Sequence, residues 1–216
     1  MIEELLFGKS TIIYRKRLPE LTLHKKELLK KCEEVIEKQP NVKTDGYAYL
    51  RFRDVLEFDG KLEYTNVMDK VVQAGIDNCK ELYKKAEYNM IDTDAWVNVV
   101  RSQNPVQIQF KHEDLKDINK YHIHTDINEM NNQFRPDYTY VYYIQMPDNL
   151  QGEDGVLYFL DENNKEHYIL PEEGDLIIMK ADLPHAPNNA FNSSVDRMVL
   201  AGNVGFQNVK KLKSLI

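Results

Sequence analysis

The second half of this 216-residue chain is a series of short strand-like runs, and this pattern restricts the fold more than any other feature. Between residues 95 and 205, about eight runs of alternating or apolar residues follow one another. Turn-forming residues such as Glu172-Glu173-Gly174 separate the runs. The runs cover residues 95–101, 105–110, 121–126, 138–145, 156–160, 167–170, 175–179 and 198–205. Short strands at this spacing are typical of a β-sandwich or a jelly roll.

The first half of the chain has a helical pattern instead. Residues 23–38 and 65–87 place apolar side chains three and four positions apart, with charged residues between them. Short β-like runs at 10–15 and 47–52 lie on either side of the first predicted helix. Gly75 falls on the apolar stripe of the second helix, so we expect a close packing contact at that position.

Together these patterns predict an α+β fold that is mainly β and forms a single domain over residues 1–216. Residues 1–90 are expected to form a helical buttress with a few strands. Residues 91–216 are expected to form a double-stranded β-helix, or jelly-roll, core. The sequence contains no internal repeat and no low-complexity linker that would divide the chain further.

The composition restricts the partners of the protein. Hydrophobic residues make up 42% of the chain and charged residues 29%, which is ordinary for a soluble globular protein. The formal net charge of -7 argues against binding to nucleic acids or anionic membranes, because both need a basic face. No window approaches the ~18 consecutive apolar residues that a membrane span needs. We therefore expect neither a membrane nor a nucleic-acid partner.

The cysteine content and the N-terminal residues predict a cytoplasmic protein. The chain has 2 cysteines, Cys32 and Cys79, and both fall inside helical patterns, so a disulfide framework is not expected. The first residues, Met1 to Leu5, have neither the basic start nor the long apolar run of a signal peptide. The oligomeric state is left open, and a homodimer is one of the expected states.

Three residues have the spacing and chemistry of metal ligands. His124 and Asp126 are two positions apart in a predicted strand, so their side chains point to the same face about 7 Å apart. His185 follows the apolar run 175–179, which is separated from Asp126 by enough chain to return across a jelly roll. Two imidazoles and one carboxylate on one face suit Fe(II) and leave positions open for substrate and oxygen. We predict that His124, Asp126 and His185 bind a catalytic metal.

A structural role is the alternative for each histidine, and a lone buried histidine more often has that role than a metal-binding one. Here the second histidine lies between Pro184 and Pro187, in a turn after a buried strand. Prolines restrict the backbone on either side and would hold the imidazole of His185 in a fixed place. This rigid setting favours the metal-binding interpretation.

Arg197 is a candidate for binding an anion near the metal. It begins the last apolar run, and an arginine that points into a core is costly unless it meets an anion. A planar guanidinium pairs with a carboxylate through two parallel hydrogen bonds. The alternative is a surface arginine paired with Asp196. The position of Arg197 after the second histidine favours the cavity-facing interpretation.

The residues resemble the Fe(II)- and 2-oxoglutarate-dependent oxygenase superfamily, and more closely its prolyl-4-hydroxylase-like branch. That branch has a Tyr-x-x-His-x-Asp signature, which Tyr121, His124 and Asp126 match. It continues with a tyrosine-rich strand, a glycine-led strand, and a proline and glycine ahead of an apolar strand, found here at 141–145, 155–159 and 171–178. The resemblance covers residues 96–206, and the N-terminal part contributes no recognisable motif.

The resemblance implies a role for each site residue. His124, Asp126 and His185 would bind Fe(II), and Arg197 would pair with the distal carboxylate of 2-oxoglutarate. Tyr143 would hydrogen-bond the same carboxylate from a neighbouring strand. Tyr121 would line the cosubstrate pocket, although a core aromatic role is equally compatible with the sequence.

The resemblance also implies an activity. The protein would be a dioxygenase that uses Fe(II), 2-oxoglutarate and O2 and releases succinate and CO2. It would hydroxylate an unidentified substrate, for which a peptide or protein side chain is favoured.

Three alternatives stay open from the sequence. His122 points to the same face as His124 and Asp126, so a triad of His122, His124 and His185 is a second ligand set, although we expect Asp126 to be the ligand. A cupin-type metalloenzyme would explain a His-x-His pair followed by Glu129, but it would have no use for Arg197. A jelly-roll binding module without catalytic activity is the third interpretation.

Overall fold

The computed structural model describes residues 1–38, 47–48, 54–57, 66–83, 88, 90–102, 121–124, 136–188 and 193–208. The helices in this part of the chain are α1 (Pro19–Thr22), α2 (Lys25–Glu37) and α3 (Val67–Leu82). The strands are β1 (Glu3–Phe7), β2 (Thr11–Arg17), β3 (Tyr47–Ala48), β4 (Asp54–Glu57), β5 (Met90–Val100), β6 (Tyr138–Gln145), β7 (Leu157–Leu160), β8 (Glu166–Ile169), β9 (Asp175–Lys180), β10 (His185–Pro187) and β11 (Arg197–Gln207). No helix in these ranges combines the length and the apolar composition that a membrane span needs.

The strands form two antiparallel sheets. The major sheet has the order β1-β2-β9-β6-β11-β5-β3, and β4 also pairs with β5. The minor sheet has the order β10-β7-β8. Side chains from the two sheets pack together in one buried cluster, in which Phe159 of the minor sheet meets residues of the major sheet. The members from the major sheet include Ile13, Tyr143, Ile177, Met179 and Val199. This arrangement confirms the predicted jelly-roll core.

Strand β11 is the centre of the major sheet. It pairs with β5 along its whole length, from Arg197 opposite Val100 to Gln207 opposite Met90. On its other side it pairs with β6, with an irregular register between Met198 and Val199. Because side chains alternate along a strand, one set faces the minor sheet and the other faces the helices.

The helices cover the outer face of the major sheet. Tyr138, Tyr140 and Tyr142 of β6 are buried there with apolar residues of α2 and α3. Asn66 begins α3, because its side-chain oxygen accepts hydrogen bonds from the backbone N–H groups of Met68 and Asp69 at 2.8 and 3.3 Å. Burial of an amphipathic helix face against a sheet is what stabilises such helices in a small domain.

Gly75 has the close contact that the sequence predicted. A Cβ atom added at this position would lie 2.6 Å from Cζ of Tyr140. The glycine therefore lets α3 approach the tyrosine ring on β6 more closely than any other residue would allow.

Several boundaries differ from the sequence predictions. The predicted helix at 65–87 ends at Leu82, and the N-terminal strand β1 was not predicted at all. Residues 121–124 make one isolated bridge, between His122 and His185, instead of the regular strand expected over 121–126. The run at 105–110 and residues 125–126 lie outside the described residues. Strands from the first 90 residues join β5, β6, β9 and β11 in the major sheet, so this part does more than cover the core.

Candidate metal centre

Three histidines meet at one end of the two sheets. The ligand nitrogens of His122, His124 and His185 all lie within 4.8 Å of one another. His124 and His185 are buried, whereas His122 lies at the solvent-exposed rim. The described residues thus contain a group of three side chains that can share one metal ion.

Backbone hydrogen bonds fix the two segments that carry these histidines. The N–H of His122 donates to the carbonyl of His185, and the N–H of His185 donates back to His122, both at 3.1 Å. The N–H of His124 donates to the carbonyl of Ala181 at 2.8 Å. His122 and His124 are therefore tied to the chain that ends β9 and begins β10, which brings distant parts of the sequence to one point.

A hydrogen bond from Nδ1 of His185 shows how its ring is oriented. Nδ1 lies 2.9 Å from the carbonyl oxygen of Leu183, and since a carbonyl only accepts, Nδ1 must carry the proton. Nε2 is then left with its lone pair, and it lies 3.3 Å from Nε2 of His124. A backbone carbonyl that holds one ring nitrogen while the other faces a shared point is typical of a metal-binding histidine.

Burial keeps the imidazoles neutral. Burial and, to a smaller extent, the nearby His122 lower the pKa of His124 to about 3. Burial also lowers the pKa of His185 to about 3, with smaller effects of the same sign from His122 and His124. The pKa of His122 is lowered as well, because the surrounding protein desolvates its ring. Neutral imidazole is the form that binds a metal ion.

The histidines lie at the wall of a cavity between the sheets. Its lining is mostly apolar, and none of the described residues that line it is acidic. The lining residues are Trp96, Asn98, His122, His124, Thr139, Val141, Tyr143, Leu157, His185, Pro187, Arg197, Val199 and Ala201. The cavity therefore combines three neutral imidazoles with one cation, Arg197.

Arg197 is buried at this cavity, with 2% of its surface exposed. Its Nη1 donates to the backbone carbonyl of Asn188 at 2.9 Å. Asp196, the carboxylate next to it in the sequence, instead accepts hydrogen bonds from Arg101 at 2.8 Å and from the backbone N–H of Ser102 at 2.7 Å. The structure thus has Arg197 at the cavity wall and not at the surface beside Asp196.

Tyr143 lies on the same face of the major sheet. It is opposite Val199 of β11 and lines the cavity, whereas its neighbour Tyr142 points to the helices. Burial raises the pKa of Tyr143 to about 12, and the Arg197 cation opposes this rise. Tyr143 is therefore a neutral phenol close to the guanidinium.

Tyr121 does not lie where the sequence prediction put it. Its ring packs against Val156, Tyr158 and Ala186, on the other side of the minor sheet from the cavity. Its hydroxyl donates to the carboxylate of Glu166, and burial with this bond raises the pKa of Tyr121. The expectation that Tyr121 lines the cosubstrate pocket must therefore be corrected. Alternation is the reason, since a residue next to His122 in extended backbone faces away from it.

Asp126 lies outside the described residues, so the three predicted ligands are not all visible in one place. His124 and His185 come together as predicted, and His122 joins them. Imidazole nitrogens suit iron, zinc, copper and nickel. The neutral imidazoles of His124 and His185, together with His122 at the rim, therefore fit a transition-metal ion such as Fe(II).

The sequence predictions missed several residues of the cavity wall. Asn98, Thr139 and Pro187 were not predicted to line it. Strand alternation offered a signal for Asn98, because it lies two positions after Trp96 on β5 and must share its face. The pairing that carries Asn98 to the site joins β5 to β11, and no local pattern specifies such a long-range contact.

Comparisons with known proteins bear on the fold. No protein-family model and no curated protein matches the chain significantly. Among solved structures, a prolyl-4-hydroxylase from Pseudomonas putida matches with a TM-score of 0.50 and 14% identity, over 91% of this chain and 92% of that chain. IDO from Bacillus thuringiensis matches with a TM-score of 0.51 and 11% identity, over 91% of each chain.

These structures are similar to nearly the whole chain, but identities this low establish shape and not chemistry. The double-stranded β-helix implied by the sequence resemblance is therefore confirmed. The chain has the jelly-roll fold of these two proteins, with supporting helices on the outer face of its major sheet.

Proposed function

We propose that the protein is a non-haem Fe(II)- and 2-oxoglutarate-dependent dioxygenase that hydroxylates its substrate. One observation carries this proposal: the histidine cluster, Arg197 and Tyr143 line the same cavity inside a jelly roll. The cluster provides metal ligands, and Arg197 provides the only charge-bearing side chain among the described lining residues other than the histidines.

His124 and His185 would hold the iron, with Asp126 as the third ligand. A carboxylate partly offsets the charge of the metal, and two imidazoles with one carboxylate leave positions open on the opposite side. His122 is the alternative third ligand, because its ring lies in the cluster. When bound, iron would supply the oxygen chemistry that couples decarboxylation of 2-oxoglutarate, to succinate and CO2, with hydroxylation of the substrate.

Arg197 and Tyr143 would bind the distal carboxylate of 2-oxoglutarate. A buried guanidinium offers parallel N–H groups to both oxygens of a carboxylate. Because burial raises the pKa of Tyr143 and keeps its hydroxyl protonated, the hydroxyl can donate one further hydrogen bond. The backbone bond from Arg197 to Asn188 holds the guanidinium in place before the cosubstrate arrives.

The apolar walls would exclude water from the reacting groups. Leu157 and Pro187 of the minor sheet face Val199 and Ala201 of the major sheet across the cavity. In such surroundings the attraction between Arg197 and a carboxylate is stronger than in water.

A peptide or protein side chain is the substrate we propose. This proposal rests on the Tyr-x-x-His-x-Asp signature and on the shared fold with a prolyl-4-hydroxylase. We propose the cytoplasm as its location, in keeping with free, buried Cys32 and Cys79. The chain's acidic charge is unfavourable for a nucleic-acid substrate.

The experiment that tests the proposed function measures succinate formed from 2-oxoglutarate under air, with and without added Fe(II). We expect succinate only when both iron and oxygen are present. His185→Ala and Asp126→Ala should abolish the reaction while circular dichroism stays unchanged. Full succinate production by His185→Ala would refute the assignment, whereas full production by Asp126→Ala would assign His122 as the third ligand. Iron binding without any conversion by the native protein would favour the inactive binding module.

A cupin-type metalloenzyme makes a different prediction for Arg197. It would bind the metal through the same histidines but would not need the guanidinium. A bound metal ion whose spectrum does not respond to 2-oxoglutarate, in native and in Arg197→Met protein alike, would therefore favour the cupin alternative.

A further inference from the structure

Asn98 is a buried polar residue in the cavity wall that the proposed function leaves unused. It is 7% exposed and lies on β5, two positions after Trp96. Its side-chain oxygen is shut off from solvent and has no hydrogen-bond partner among the described residues. Leaving a buried amide group unsatisfied costs free energy, so native proteins rarely keep one without a use.

The position of Asn98 relates it to the other polar groups of the cavity. In the major sheet, Val199 of β11 is opposite Asn98 on one side and opposite Tyr143 on the other. All three line the cavity, and Arg197 lies two positions before Val199 on the same strand. Asn98 and Tyr143 therefore flank the strand that carries Arg197, at the same level of the sheet.

The arrangement separates two ends of the cavity. The next inward-facing level along the sheet contains Trp96 opposite Ala201, and Trp96 stacks on His124. Asn98 lies between this metal-side level and Arg197. Along β5, Asn98 lies two residues before Val100, which is opposite Arg197. Asn98 itself is opposite Val199.

We infer that Asn98 is a further anchor for the distal carboxylate of the cosubstrate, which rests on the proposed function. The carboxamide has an NH2 group that donates and an oxygen that accepts, and a turn about its last bond exchanges them. A dicarboxylate offers only acceptors, so the NH2 group is the end that would serve. Arg197, Tyr143 and Asn98 would then surround one carboxylate from three adjacent strands.

The buried side-chain oxygen of Asn98 should lower the stability of the ligand-free protein, because it has no hydrogen-bond partner among the described residues. An apolar replacement removes this unsatisfied group, so Asn98→Leu should raise the melting temperature of the ligand-free protein. The same replacement should weaken cosubstrate binding.

Asn78 offers a matched control for this substitution. It is 5% exposed, lies on α3 away from the cavity, and its amide is satisfied at both ends. Its Nδ2 donates to the carbonyl of Ala74 at 2.7 Å, and its oxygen accepts from Lys16 Nζ at 2.6 Å. Asn78→Leu should therefore lower the melting temperature and leave cosubstrate affinity unchanged.

The experiment is an anaerobic calorimetric titration of the Fe(II)-loaded protein with 2-oxoglutarate and, separately, with oxalate. Oxalate chelates metal ions but has no distal carboxylate. We expect Asn98→Leu and Asn98→Ala to weaken 2-oxoglutarate binding by about tenfold or more, the effect of one hydrogen bond to a charged group. Oxalate affinity should change less than about twofold in both variants, because an unchanged contact leaves the free energy unchanged.

The outcomes distinguish this inference from the proposed function. Native protein that binds no 2-oxoglutarate would refute the proposed function itself. Native protein that binds 2-oxoglutarate, with affinity unchanged in Asn98→Ala, would overturn only the role of Asn98. Equal weakening of oxalate and 2-oxoglutarate would also overturn it, because the amide would then act on the metal end or on the fold.

Discussion

Trp96 stacks on the imidazole of His124, with ring centroids 5.6 Å apart and 28° between the ring planes. The stack joins the inner face of β5 to the segment that supplies the histidines, since His124 is also bonded to Ala181. It also places the chain's 1 tryptophan beside the candidate metal site. The contact therefore helps to fix the orientation of the His124 ring.

Metal binding at His124 should be visible in the fluorescence of Trp96. An open-shell ion such as Fe(II) bound next to the indole should quench its emission, with saturation at one metal ion per chain. The measurement is an anaerobic Fe(II) titration followed at the tryptophan emission maximum. His124→Ala should remove the quenching. Stoichiometric iron binding with unchanged fluorescence would place the metal elsewhere.

The third ligand should be identified by comparing His122→Ala with Asp126→Ala. If Asp126 completes the site, its loss should weaken Fe(II) binding by about 10-fold to 100-fold or more, while loss of His122 has a smaller effect. Metal affinity measured by competition with a coloured chelator decides between them. The reverse order would assign the three-histidine set.

Removal of the guanidinium should separate cosubstrate binding from metal binding. Arg197→Met is expected to weaken 2-oxoglutarate binding by about 100-fold, because a buried charge-assisted pair contributes several kcal/mol of coupling. Fe(II) affinity should change little. Arg197→Lys keeps the charge but not the fork of N–H groups, so its affinity for 2-oxoglutarate should lie between those of the native protein and Arg197→Met. Calorimetry with each variant provides the measurement, and an unchanged dissociation constant in Arg197→Met would contradict the role of this residue.

Gly75→Ala should destabilise the fold although alanine favours helices. The added Cβ would lie 2.6 Å from the Tyr140 ring, which is fully buried and cannot move aside easily. Overpacking of this kind costs about 1–3 kcal/mol of unfolding free energy, more than the ~1 kcal/mol gained in helix propensity. Chemical denaturation measures the difference. Lys70→Ala, on the exposed side of α3, is the control and should change stability much less.

Glu162 should make the stability of the protein depend on acidic pH. Its carboxylate accepts hydrogen bonds from the backbone N–H of Lys9 at 2.6 Å and from the hydroxyl of Thr11 at 3.0 Å. The Lys9 bond is the main reason that the pKa of Glu162 is lowered from 4.5 to about 2. The stabilisation is present above pH 4.5 and is lost as the pH falls towards 2.

The test for Glu162 compares melting temperatures of the native protein and Glu162→Gln between pH 7 and pH 2. The advantage of the native protein should be largest at pH 7 and shrink across this acidic window. Glu3→Gln on the exposed edge of β1 controls for the removal of one surface charge. A pH-independent difference between native protein and Glu162→Gln would show that the carboxylate bonds to Lys9 and Thr11 do not stabilise the fold.

Local patterns predicted the strands that have one buried and one exposed face, and also the strands that are buried throughout. The run at 175–179 is apolar on both faces and appears as β9, and the run at 198–205 lies within β11. Strand β1 was missed because Glu3-Glu4-Leu5-Leu6-Phe7 does not alternate. It also lies at the edge of the sheet, where 3 of its 5 residues are exposed. Period alone cannot detect such an edge strand.

The candidate site was predictable in part because its chemistry lies in a few residues. His124, His185 and Arg197 were predicted from residue type and setting, and they line one cavity. The place of Tyr121 depended on which face of an extended segment turns inward, and Asn98 depended on the pairing of β5 with β11. Both are set by contacts between residues far apart in the sequence, which a local pattern does not contain.

The most direct test of the account is an anaerobic titration of the protein with Fe(II), in the presence and absence of 2-oxoglutarate, followed by visible absorption. We predict a weak charge-transfer band that appears only when both components are present and that is lost in His185→Ala. Arg197→Met should need a much higher concentration of 2-oxoglutarate to reach the same absorbance. Iron that binds without any band on addition of 2-oxoglutarate would contradict the proposed cosubstrate and with it the dioxygenase assignment.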